Sequence, residues 1–277
     1  MEANLVFAEI QFTERPGING TSLTIFNRLK SILQSRDDVT TKSVTLAMDI
    51  LTMGKLWYEN DSNITSSIFS VVLEIGKCIP PEHPWQDSLV GAISRLRERE
   101  CSFPHMPTHG AEFACLNDGI EKRLPEPAAR LGEKTMGQYA RWINLNSFVA
   151  RLVSAYPAPD WWHMIKYAFW QLRVALEEPP GRGVAEEYRL LVACEWILHC
   201  DAFLYQVMSA ETNAGGSEFE FRTGSLCAAP SASTQRWNFW KTQFANYSAD
   251  AKKLGLGPDV VARISDALRK MEAIGSN

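Results

Sequence analysis

Apolar residues recur along this chain at helical spacing. From Thr21 to Ser35, Leu23, Ile25, Phe26, Leu29, Ile32 and Leu33 fall three and four positions apart, and Thr21 or Ser22 follows Pro16-Gly17 as a cap. A second helix is predicted from about Asp38 to Tyr58 on Val44, Ala47, Met48, Leu51 and Leu56, ending at Asn60-Asp61-Ser62-Asn63. A third covers about Thr65 to Cys78, before Pro80-Pro81, and a fourth runs from Trp85 to about Arg99 or Glu100. Between Cys101 and Leu131 the pattern breaks up around Pro104, Pro107, Pro125 and Pro127, leaving one short helical candidate from Gly110 to Arg123.

Further helices are predicted from about Glu133 to Tyr156, Trp161 to Glu178, Val184 to Met208, Thr234 to Leu254 and Asp259 to Ala273. Trp161 to Glu178 carries three tryptophans, a tyrosine and a phenylalanine within its first ten residues, and apolar side chains point most of the way round it. That makes it the expected central helix, capped by Asp160, with His163, Lys166, Arg173 and Glu177 needing partners, solvent or a ligand. No segment alternates with period two and no internal repeat is visible. The expected class is all-α, one multi-helix domain of about eight to ten antiparallel-packed helices around an aromatic-rich centre. Within it, residues 1–130 form an N-terminal layer with the Pro-rich connection, and residues 131–277 form the helical core.

Composition narrows the function. The chain has 277 residues, and a formal charge of -4 argues against a nucleic-acid partner, which needs a basic face. The one basic cluster, Arg95, Arg97 and Arg99, is interrupted by Glu98 and Glu100 and reads as a solvated helix face. The N-terminal residues lack the basic leader and long apolar core of a signal peptide, and no apolar run approaches the length of a membrane span. A cytoplasmic protein with six reduced cysteines is expected.

Familiar catalytic signatures are missing. The five histidines form no metal-ligand pair on one helix face, and no cysteine pair has zinc-finger spacing. Neither Arg36-Asp37-Asp38 nor Asn60-Asp61 supplies the carboxylate set that holds magnesium on a diphosphate. Gly181-Arg182-Gly183 lacks the context of a nucleotide loop, and there is no nucleophile elbow. No cofactor is implied. Cys194 and Cys200, on a strongly apolar helix, read as core residues.

What remains is a set of polar residues within aromatic helices. Glu195 and His199 are four apart, as are Arg173 and Glu177, and Asn146 lies one turn from Trp142. Converging, Arg173, His199, Asn146, Glu177 and Glu195 would polarise a carbonyl or move a proton, with Trp142, Trp170, Trp196, His163 and Tyr167 surrounding the substrate. The competing reading makes the same residues core, with Arg173 paired to Glu177 or Glu195.

The blocks Trp142-Ile-Asn-Leu-Asn-Ser-Phe-Val-Ala-Arg-Leu152, Phe169-Trp-Gln-Leu-Arg-Val-Ala-Leu-Glu-Glu-Pro-Pro180, Glu195-Trp-Ile-Leu-His-Cys200, Arg222-Thr-Gly-Ser-Leu-Cys227 and Arg236-Trp-Asn-Phe-Trp-Lys241 resemble a fungal all-α family, domain-of-unknown-function family 3632. The resemblance spans roughly Gly137 to Ala273 and implies a helical fold and a fungal origin, without transferring catalytic residues. It also suggests secondary metabolite biosynthesis. The resulting expectation is a cofactor-independent cyclase or isomerase, such as a pericyclase of the Diels-Alderase kind, acting on a hydrophobic small molecule held by shape and a few hydrogen bonds. The alternative is a non-catalytic helical protein that binds a ligand or another protein.

Overall fold

The computed structural model describes residues 19–57, 63–98, 111–124, 136–155, 164–181, 184–209 and 221–274. These residues form eleven helices and no strand, so the protein is all-α. The chain divides into two compact units, Met1–Leu152 and Val153–Asn277, a division that falls late in the sixth helix.

The first unit contains α1 (Asn19–Leu33), α2 (Val39–Trp57), α3 (Ile64–Cys78), α4 (Trp85–Glu98), α5 (Ala111–Arg123) and most of α6 (Met136–Ala155). Asp38 starts α2: its carboxylate accepts from the backbone N–H groups of Thr40 and Thr41 at 2.8 and 3.0 Å. α2 packs on α4, α3 on α5, and α1 on both α2 and α3. The face α2 buries differs from the one its sequence suggests. Leu46, Ala47, Ile50 and Met53 point inward, whereas Val44, Met48 and Leu56 are exposed. Small residues set this rotation, because Gly91 of α4 lies so close to α2 that a Cβ there would sit 2.6 Å from the Ser43 hydroxyl.

Gln86 stitches the turn between α3 and α4 to α6. Its buried amide donates to Ile79 O at 2.8 Å and Asn144 O at 3.1 Å, and Arg151 Nε donates to its carbonyl at 3.2 Å. Asn144 in turn caps the end of α3 by donating to Lys77 O at 2.9 Å.

The second unit contains α7 (Ile165–Leu176), α8 (Val184–Ser209), α9 (Thr234–Ala249), the single turn α10 (Ala251–Leu254) and α11 (Pro258–Ile274). α8 is flanked by α7, α9 and α11, while α7 and α11 both also touch α9. α7 supplies buried aromatic surface: Phe169 meets Phe221 edge-on at 4.6 Å and Trp240 at 5.7 Å. Trp237 and Tyr205 extend the cluster. Trp161 to His163 and the expected Asp160 cap lie outside the described residues, and Met164 stands at the N-cap of α7 without a side-chain cap.

α8 departs from its sequence pattern in two ways. Its backbone breaks at Cys200 (φ -136°, ψ 17°), so two helical segments meet immediately after His199. It is also long and apolar enough, by length and composition, to cross a membrane, a property hidden in the sequence by its scattered carboxylates. Within this unit it is mostly covered by α7, α9 and α11.

Candidate functional site

Glu177 ends α7, and its carboxylate accepts four hydrogen bonds. It is fully buried, as is Arg236 on the first turn of α9. Arg236 Nε donates to Glu177 Oε1 at 2.6 Å and its Nη2 to Oε2 at 3.2 Å, the two-pronged pairing that suits guanidinium and carboxylate. Trp240 Nε1 donates to Oε1 at 2.6 Å and the Gly224 N–H to Oε2 at 2.6 Å.

The rest of the guanidinium is also committed. Arg236 Nη1 donates to Phe221 O and Ser231 O, each at 2.6 Å, and Nη2 to Arg222 O at 3.3 Å. All five donors of the side chain are therefore used. Its plane lies 5.2 Å from the Phe169 ring and 5.3 Å from Trp240, within range of cation-π attraction. Gly224 must be glycine for this closure, because a Cβ there would meet Glu177 O at 2.6 Å and Glu177 Cβ at 2.7 Å. Charge, lone pairs and volume are all satisfied by the protein itself. The pair holds the segment Phe221 to Ser231 against α7 and α9.

This arrangement corrects the expected partner of Glu177. Its mate is Arg236, not Arg173: Glu177 is the C-cap of α7, its backbone N–H still donating to Arg173 O at 2.8 Å, and its carboxylate turns into the buried cluster where Arg236, Trp240 and Gly224 take up its oxygens. Arg173 turns toward Glu178 instead, with Nε 3.9 Å from Oε1, and pairs with neither Glu177 nor Glu195.

Glu195 and His199 do come together. The buried Glu195 carboxylate lies with Oε2 3.2 Å from His199 Nε2, and Arg263 of α11 donates to Oε1 through Nε at 2.6 Å. The imidazole and guanidinium side chains remain 18 % and 19 % exposed, whereas the carboxylate between them is 2 % exposed. A buried carboxylate thus lies beside a part-exposed histidine, a placement from which an acid-base dyad can be built. Neighbouring thiols do not add a nucleophile. Burial, reinforced by Glu195, pushes Cys194 well above the ordinary thiol range, and burial with Asp201 does the same to Cys200.

The other expected residues occupy separate places. Trp142 and Asn146 belong to the first unit: Trp142 Nε1 donates to Leu124 O at 3.0 Å, and the buried Asn146 amide donates to Trp142 O at 2.9 Å within its own helix. Trp196 is fully buried in α8. Tyr167 is buried edge-on to the part-exposed Trp170 at 5.3 Å, and Lys166 Nζ lies over both rings. His163 lies outside the described residues. Sequence reasoning missed Arg236, Trp240 and Arg263. The first two were visible as an i, i+4 pair in the Arg236-Trp-Asn-Phe-Trp-Lys241 block; Arg263 carries no local signal.

A third buried acid, Glu186, accepts from Tyr247 Oη at 2.7 Å and from the Gly181 N–H at 3.1 Å. In the first unit, an open groove of about 450 Å³ between α1 and α2 is lined by Thr24, Asn27, Arg28, Ser31, Ile32 and Asp49, none of them selected from sequence. Among the described residues, no group of three or more His, Cys, Asp or Glu side chains is gathered that would hold a metal ion.

The fold and its buried ion pair define an all-α helical protein whose most elaborate polar network closes a loop rather than opening a cleft. Residues 69–244 match a family described as a protein of unknown function, DUF3632, and the chain belongs to that family. The match begins within α3, well before Gly137, and ends within α9. No curated protein and no solved structure matches the chain.

Proposed function

We infer that this is a non-catalytic helical protein that acts by binding a ligand or another protein. The carrying observation is the commitment of the chemically capable side chains to the fold. Glu177 is bonded by Arg236, Trp240 and Gly224, Asn146 by its own helix, Trp142 by Leu124, and Glu195 by Arg263. A catalytic group needs donors or lone pairs left over for substrate, and at Glu177 both carboxylate oxygens already accept two hydrogen bonds each from the protein.

One observation favours a second reading. The Glu195–His199 contact with its exposed imidazole edge suits proton transfer, so a cofactor-independent isomerase or cyclase acting on a hydrophobic secondary metabolite would work through His199, with Glu195 and Arg263 positioning it. A fungal origin and a cytoplasmic setting accompany that reading. In both readings α8 is a core helix rather than a membrane span.

The two readings separate on one preparation. Purified protein is extracted with organic solvent and its retained small molecules are analysed by mass spectrometry, then incubated with fresh protein. The binding reading expects them to be recovered unchanged. Conversion that is lost in His199→Gln, with the melting temperature unchanged, would replace it by the acid-base reading.

A further inference from the structure

A feature of the first unit stands apart from these candidates. Glu74 of α3 faces three cations: Lys77 Nζ lies 2.9 Å from Oε1, Arg123 Nε 3.0 Å from the same oxygen, and Arg141 Nη2 3.1 Å from Oε2. Arg123 is held further by Gly119 O at 3.1 Å and the Ser70 hydroxyl at 2.9 Å. Burial works to raise the Glu74 pKa, but Lys77 and Arg123 outweigh it and lower it, so the carboxylate is ionised. Among the described residues no other carboxylate pairs with these three side chains, which leaves two positive charges uncompensated on a protein whose formal charge is -4.

The donors are not exhausted either. Lys77 carries three N–H groups and Arg141 five, and the structure gives each head one acceptor, both on Glu74. Their side chains are 21 % and 30 % exposed, so a solute reaches them from water. Because Lys77 and Arg141 sit on the two oxygens of one carboxylate, a small oxyanion is of the right size to touch both. Arg123, fixed by three acceptors, adds charge without having to move.

We propose that Lys77, Arg123 and Arg141, gathered around Glu74, form a binding site for a small oxyanion, the phosphate or carboxylate group of a metabolite. Glu74 has two roles in such a site. It gathers the three cations in the empty state, and it competes with the ligand for their N–H groups, which keeps affinity moderate. The site lies wholly within the first unit and does not depend on whether His199 transfers protons. A purely structural cluster would instead tie α5 and α6 to α3 and complement the helix C-termini near Lys77 and Arg123.

Inorganic phosphate and succinate, titrated separately into the full chain at low ionic strength and followed by calorimetry, distinguish the two ligand chemistries. Saturable binding of at least one is expected, weakened about tenfold in Lys77→Gln and in Arg141→Gln. Arg28→Gln, which removes a cation paired elsewhere with Asp49, should leave it unchanged. Glu74→Gln is expected to tighten binding, an effect that a merely structural salt bridge does not produce. Circular dichroism identifies any variant that fails to fold, and Lys77→Gln, at a part-exposed side chain, remains informative if Glu74→Gln does fail. No saturable binding of either anion into the tens of millimolar, or equal binding by wild type and both cation variants, overturns the proposal.

Discussion

Two tryptophans one turn apart on α9 differ by a single hydrogen bond. Trp240 Nε1 donates to Glu177, whereas Trp237 Nε1 is buried without a protein acceptor among the described residues. Replacing either with Phe removes similar volume, but only Trp240→Phe takes a donor from a buried carboxylate. Trp240→Phe should therefore lower stability by about 1.5–3 kcal/mol more than Trp237→Phe, read from paired urea titrations. Equal losses would mean that the Trp240–Glu177 bond adds nothing. The same site shows where sequence reasoning reaches and where it stops. Glu177 stands out as a polar residue in an apolar helix, and Glu195 with His199 as a helical pair, because both signals are local. The partner of Glu177 is 59 residues away in sequence. Spacing along one helix carries no information about such a pair, so Arg173 attracts the assignment that belongs to Arg236.

The helices were legible almost throughout, since period 3.6 and the Pro, Gly and Asn punctuation are properties of each segment alone. What one helix presents to another was less so. α2 shows the reason: its apolar residues outnumber the positions its neighbours can cover, and the tight approach of Gly91 to Ser43 selects which ones turn inward. The break in α8 at Cys200 was not legible either, as no Pro or Gly marks it. The segment Phe221 to Ser231 has no regular structure of its own and depends on carbonyls held by Arg236 and on Gly224 lying flat against the end of α7. In Gly224→Ala the new methyl meets backbone that cannot yield, and the expected cost is about 1–3 kcal/mol. Limited proteolysis checks it: cleavage should move into residues 221–231, while α8 and α11 stay protected. An unchanged digestion pattern and melting temperature would show that this contact relaxes without consequence.

Across the whole molecule, pH acts on stability through groups whose surroundings differ between folded and unfolded chains. Burial, and then the hydrogen bond to Glu186, raise the Tyr247 phenol above its ordinary value of 10.0. A raised pKa contributes stability that is fully present below the unfolded value and is lost as pH rises through the folded one. Stability should accordingly decline above about pH 10, and more gently in Tyr247→Phe, as judged by denaturant titrations at stepped pH. Identical slopes in both proteins would mean that the Tyr247–Glu186 contact does not persist in solution.

The pairing of Glu177 with Arg236 also bears on how the second unit assembles. A chain with α7 and α8 packed but α9 undocked would hold a bare carboxylate against Phe169, and one with α9 docked early would bury an unanswered guanidinium. Each half-built state costs more than either the open chain or the finished core. The pair thus penalises partial structure, and the second unit is expected to gain and lose α7, α9 and the segment Phe221 to Ser231 in one cooperative step.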